Sequence, residues 1–148
     1  MPRIDPRLPA GLAIGSAALA VVGVYCTWLR VTVSGFGVAG SSQTGWNGRD
    51  GWTVAVTAAV TAGCGIAILL GRKEAWLPNL LILSGAVTVI IAIVNVAGAA
   101  SKADDIHQRY SIPPSDVRAS IGIGVWLVAL AGVGTLAAAV LAHQVRRR

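Results

Sequence analysis

Four stretches of this chain contain no Asp, Glu, Lys or Arg: Ala10–Leu29, Trp52–Gly71, Leu77–Ser101 and Ala119–Gln144, the shortest of them 20 residues long. The hydrocarbon core of a bilayer is about 30 Å thick and a helix rises about 1.5 Å per residue, so each stretch is long enough to cross once. Inside hydrocarbon every backbone N–H and C=O must be satisfied by the segment itself, which selects helices. The expected fold is an all-α membrane protein: one domain over residues 1–148, four transmembrane helices in an antiparallel bundle. The helices are placed at about 9–29, 51–71, 77–101 and 116–144, with outer loops at about 30–50 and 102–115.

The charges fit that plan. Only 12% of the residues are charged and 55% are hydrophobic, against roughly 25% charged in an ordinary soluble domain. A net charge of +6 suggests nucleic acid until the charges are placed. Every Lys and Arg lies outside the four stretches, in tails and loops, as a membrane protein requires, so no nucleic-acid partner is expected. Arg3, Arg7, Arg72, Lys73, Arg146, Arg147 and Arg148 fall on one side of a four-pass topology; Arg30, Arg49, Lys102, Arg109 and Arg118 fall on the other. The short segments richest in Lys and Arg face the cytoplasm, so the expected location is the cell membrane, multi-pass, with both termini cytoplasmic. The first stretch reads as an uncleaved helix rather than a signal peptide, because it ends in Tyr25, Cys26, Thr27 and Trp28 rather than a small-x-small site.

Little in the sequence points to chemistry. Cys26 and Cys64 differ in expected depth by roughly 13 Å, too far for a disulfide, and read as small packing residues. Asp104, Asp105 and His107 lack a second cluster that would complete a metal site. The polar residues at membrane depth are Thr53, Thr57 and Thr61, then Ser84, Thr88 and Asn95, then Thr135; none titrates, so no proton-coupled pump is expected. Asn95 reads as an interhelical hydrogen bond. No catalytic residue, metal or cofactor is assigned.

Small residues mark the expected helix contacts, because close backbone approach drives association where lipid is as apolar as leucine. Gly11 and Gly15 lie four apart, as do Ala59 and Gly63; Gly124, Val128 and Gly132 form a row in the last helix. Packing within one bundle and self-association both fit such rows. Trp28, Trp52, Trp76 and Trp126 read as interface anchors.

The first outer loop is the most specific segment. Arg30–Ser34 alternates polar and apolar residues with β-branched side chains, Gly35, Gly37 and Gly40 punctuate it, and Asn47-Gly48 is a turn dipeptide. A small β-hairpin over the bundle is expected, with Asp50 capping the second helix. Phe36, Trp46, Asn47, Arg49 and Asp50 are the candidate interaction residues. In the second loop, the third helix is expected to run to about Arg109, Pro113-Pro114 to break it, and Ser115 or Asp116 to cap the fourth, with Arg118 in its first turn.

The Asp50-Gly51-Trp52 entry to the second helix, the short basic turn and the Gly122-x-Gly-x-Trp126 entry to the fourth make a pattern. It resembles small tetraspanning membrane proteins of actinobacterial, mycobacterial-type cell envelopes. The layout is similar to that of claudins in outline only, since the two loop cysteines of claudins are lacking. The resemblance implies an envelope location and no activity. The expected function is a non-enzymatic accessory or scaffold protein whose partners are membrane lipid and another envelope or exported protein, or a second copy. The competing expectation is an oligomeric small transporter or pore without proton coupling, lined by the threonines of the second helix. A C-terminal fusion to a reporter active only in the cytoplasm is expected to give signal; a stronger signal from a reporter active only outside would reverse the orientation.

Overall fold

The computed structural model describes residues 5, 7–33, 41–72, 74–110 and 117–146. The element order is α1 (Arg7–Tyr25), β1 (Thr27–Val33), β2 (Ser41–Thr44), a 3₁₀ turn (Gly45–Asn47), α2 (Arg49–Leu69), α3 (Trp76–Tyr110), β3 (Val117–Ile121) and α4 (Ile123–Arg146). The chain is mostly helical, and all four helices contain a window long and apolar enough to span a membrane. In the bundle α1 packs on α2 and α4, and α3 packs on the same two from the opposite side. One end of the bundle carries the starts of α1 and α3 and the finishes of α2 and α4; the other carries the strands.

Packing is inverted relative to a soluble bundle. Many of the buried residues are small: Ala10, Ala13, Ala17 and Ala20 in α1, Ala58 in α2, and Ala131, Ala138 and Ala139 in α4, with Leu77, Leu81 and a few valines among them. The large aliphatics face outward, among them Val22, Val56, Leu83, Ile93, Leu130 and Val133, each more than half exposed. Large aliphatics are exposed along all four helices, whereas a soluble monomer keeps its exposed apolar patches small. Small residues inside bring backbones together, which is the association mode expected where no water drives burial.

The glycines divide by face. A Cβ on Gly85 would press on Leu136, and one on Gly132 would lie 2.7 Å from Val89 Cγ2, so this pair closes the α3–α4 seam. Gly124 lies against the Gly23 carbonyl on α1. Gly11, Gly15 and Gly63 have open space where a side chain would start, and all three are exposed. The expectation that they pack helices inside one bundle is therefore corrected: their rows sit on the outward faces of α1 and α2.

The strand end departs from an all-helical plan in three places. α1 stops at Tyr25 rather than near 29, because the β-rich run begins at Thr27. The segment read as the first turn of the fourth helix is β3, whose Val-Arg-Ala-Ser-Ile alternates at the strand period, and α4 starts only at Ile123. The expected hairpin becomes a three-stranded antiparallel sheet in the order β2-β1-β3, joining both loops. Arg30 lies opposite Ser42 on one side and Ser120 on the other; Thr32 lies opposite Arg118. α3 runs to Tyr110, past the helix end placed near 101 and close to the extension to about Arg109, so much of the expected second outer loop is helical; its Ala99 packs with Leu29 and Val31 under the sheet.

At the opposite end α2 closes in a Schellman motif. Gly71 takes φ +78°, its N–H reaches the Ile68 carbonyl at 3.0 Å, and Arg72 N–H reaches that of Ala67 at 3.0 Å. Gly132→Leu is expected to lower the melting temperature in mild detergent sharply, by an overpacking cost of about 1–3 kcal/mol or more. Gly11→Leu and Gly63→Leu should stay within about 0.5 kcal/mol of the native protein in the same melt, as surface changes do.

Candidate interaction surface

The sheet end is organised around Trp28. A register shift between Thr27 and Leu29 makes a β-bulge in β1, and a bulge re-aims a side chain. It turns Trp28 inward although its neighbour Leu29 is also buried. The indole N–H donates to the Gly23 carbonyl at 2.8 Å. The ring fills a slot that exists because its neighbours lack side chains: a Cβ on Gly124 would lie 2.6 Å from Cδ1, and one on Gly45 would lie 2.7 Å from Cε2. Trp28 thus joins α1, α4 and the 3₁₀ turn, and is a core residue rather than an interface anchor. Trp52, Trp76 and Trp126 are each more than half exposed and remain at the surface.

Trp46 also packs. Its ring meets Tyr25 edge-on at 5.4 Å and Trp52 at 5.1 Å, and it rests on the main core cluster beside Trp28. Its indole N–H is buried and has no partner among the described residues. Trp46, one of the candidate interaction residues, thus packs at the start of α2 and pins the 3₁₀ turn to α1 and α2. Phe36 lies outside the described residues. Asn47, Arg49 and Asp50 are exposed at the start of α2. Asp50 does not cap α2: the N-cap is Gly48, without a side-chain bond, because the helix begins one residue before Asp50. Instead Asp50 Oδ2 accepts from Asn95 Nδ2 at 3.0 Å, and Asn95 also donates to the Ile91 carbonyl.

That bond is the top rung of a polar ladder down the α2–α3 seam. Two turns below, the hydroxyls of Thr57 and Thr88 lie 3.0 Å apart; one turn further, those of Thr61 and Ser84 lie 2.6 Å apart. Ser84 Oγ also donates to the Thr57 carbonyl, and Thr88 Oγ1 donates to that of Ser84. Thr57 and Thr61 of α2 are turned into a helix contact and satisfied there, whereas Thr53 is exposed and donates to the Arg49 carbonyl of its own helix. Thr135 donates to the Ala131 carbonyl in its own helix. Among the described residues no group of three His, Cys, Asp or Glu side chains is placed to hold a metal.

The outward face of the sheet is polar. Leu29 and Val31 point into the fold, so Arg30 and Thr32 point away, joined by Ser42 on β2 and by Arg118 and Ser120 on β3. Ser120 Oγ donates to the Arg30 carbonyl at 3.3 Å and Thr32 Oγ1 to that of Arg118 at 3.4 Å, so side-chain bonds reinforce the β1–β3 ladder. Two guanidinium groups and several hydroxyls therefore share one surface. The sequence reading does not pick out Arg30, Thr32, Arg118 or Ser120 as site residues. The signal for two of them is the alternation of Val117–Ile121, which a helix assignment conceals.

No protein family matches this sequence, and no curated protein matches it.

Truncating Trp28 should be the most damaging single change at this end. Trp28→Ala is expected to cost about 3–5 kcal/mol, the usual loss for a buried aromatic, and to lower the melting temperature in detergent accordingly. Trp46→Ala should lower it by a smaller amount. A Trp46→Ala protein that melts like the native one would return this residue to the surface.

Proposed function

We propose that the chain is a multi-pass membrane protein without catalytic activity, an accessory or scaffold that presents the sheet to an envelope or exported partner. The membrane part of the reading rests on the four apolar helices and the outward aliphatic belt. The orientation rests on the seven basic residues of the tails and the middle turn in the sequence, a bias that favours a cytoplasmic terminus end with the sheet outside.

The observation that carries the scaffold part is the polar sheet face held on an apolar support. A surface that recognises a partner gains from being ordered beforehand, since the cost of ordering is then absent on binding. Here both loops are tied into one sheet, the sheet sits on α3 through Ala99, and Trp28 and Trp46 fasten its base. Arg30 and Arg118 give the surface a positive character that fits an acidic partner. The pore reading has less support. Thr57 and Thr61 turn to Ser84 and Thr88, Thr135 bonds its own helix, and most other buried residues between the helices are alanine, valine, leucine and glycine.

A photo-crosslinking residue at Thr32 in living cells is expected to give a discrete protein adduct, and one at Val133 on the aliphatic belt is not. The double variant Arg30→Glu, Arg118→Glu should abolish that adduct while changing stability by no more than about 0.5 kcal/mol, because both side chains are exposed. Purified protein in liposomes should show no flux driven by a proton gradient. Saturable flux that collapses with the gradient would remove the scaffold reading, as would an adduct indifferent to both charge reversals.

A further inference from the structure

The terminus end holds a cavity of about 220 Å³ that all four helices line. Its floor is apolar and built from buried residues, Pro9 of α1, Leu77 of α3 and Ala142 of α4. Its rim carries Arg7, Arg72 and Arg146, with Glu74 as its single carboxylate. Arg72 Nη1 pairs with Glu74 Oε1 at 3.2 Å, and Glu74 also accepts from the indole N–H of Trp76. One carboxylate thus takes two donors, and Arg72–Glu74 is the only ion pair among the described residues. Arg7 and Arg146 bring two further guanidinium groups to the mouth with no second carboxylate in the lining. The adjoining sequence adds Arg3, Lys73, Arg147 and Arg148 and only Asp5 as an acid.

From this arrangement we infer that the cavity is a binding site for one anionic phospholipid, its phosphate held between Arg7 and Arg146 and its glycerol and first methylenes on the floor of Pro9, Leu77 and Ala142. Charge and depth both select this occupant. Guanidinium groups bind phosphate in a two-point geometry that an ammonium cannot match. The rim lies at the helix ends, where Trp76, half exposed, marks the level of the headgroups. Leu69, itself half exposed and lining the cavity, leaves an apolar exit toward the acyl region. A free phosphate would use the rim and waste the floor. A second copy of the chain would bring the same basic rim against this one. The inference rests on the membrane reading above and is independent of the scaffold reading.

The test uses the full chain purified in an uncharged detergent, with melting temperature and native mass spectrometry as readouts. Short-chain phosphatidylglycerol is expected to raise the melting temperature saturably and to add one tightly held lipid per chain. Phosphatidylcholine and inorganic phosphate should do neither. A basic residue near an anionic lipid surface contributes enough for a roughly fivefold change in affinity, so Arg7→Gln and Arg146→Gln should each weaken the effect about fivefold. The tail variant Arg147→Gln, Arg148→Gln should leave it nearly unchanged. Ala142→Leu, which fills the floor and keeps every charge, should abolish it. Equal loss in the tail variant would mean diffuse attraction to a basic surface and overturn the pocket. Equal stabilisation by phosphate alone, by phosphatidylcholine, or by concentration-dependent dimer formation would overturn the lipid. Recovery of the chain in the soluble fraction of cells would overturn both this inference and the membrane reading; a membrane-bound chain without lipid selectivity would overturn this inference alone.

Discussion

The indole of Trp28, seated in a slot that two missing side chains at Gly45 and Gly124 leave open, is the contact on which the strand end depends. It converts a helix terminus into a strand within two residues of Tyr25, and the bulge lets it point inward beside Leu29. Its N–H is satisfied by Gly23, whose own carbonyl lies against Gly124. The backbones of α1 and α4 can approach so closely only because neither position has a Cβ. Where they approach, β1 and β3 are already alongside one another, and the Gly122 N–H extends the pairing by donating to the Trp28 carbonyl at 2.8 Å. The sheet is thus the continuation of the α1–α4 seam rather than a separate hairpin resting on top of it.

The other seams use different chemistry for the same purpose. α3 and α4 meet through Gly85 and Gly132, which is close packing of backbone. α2 and α3 meet through two hydroxyl pairs and the Asn95–Asp50 bond, and each rung adds a modest amount, about 0.6 kcal/mol by the measure of polar pairs between membrane helices. Three rungs at matched heights contribute less through energy than through register: sliding α3 by one residue would take Ser84, Thr88 and Asn95 away from their partners. In a bundle whose interior is largely alanine and valine with only a few leucines, polar pairs help to fix the register.

The two ends then differ in kind. The strand end is ordered by a mixed polar and aromatic cap and offers a face with Arg30 and Arg118 on a sheet. The terminus end is a ring of helix ends, a Schellman turn that sets Arg72 at the rim, and a cavity with an apolar floor. Charge of the same sign is on both ends, but only at the terminus end is it set around a concavity with apolar depth.

Much of this architecture is legible in the residues alone. Four uncharged runs of 20 residues or more are long enough for four apolar helices, since a helix satisfies its own backbone hydrogen bonds within the segment, and β-branched alternation after Arg30 points to a strand. The matched four-residue spacing of Thr57 and Thr61 with Ser84 and Thr88 is visible too, though its meaning requires knowing that α2 and α3 lie antiparallel at that height. Tertiary structure alone decided which glycines face inward. Gly11 and Gly63 have the same spacing signature as Gly132, and spacing carries no information about which face of a helix meets a neighbour. It also decided that Val117–Ile121 is a strand: five residues behind a proline pair fit a helix start equally well until β1 is beside them to accept their hydrogen bonds. The pocket rim was out of reach for the same reason, since Arg7, Arg72 and Arg146 are brought together only by the closing of the bundle.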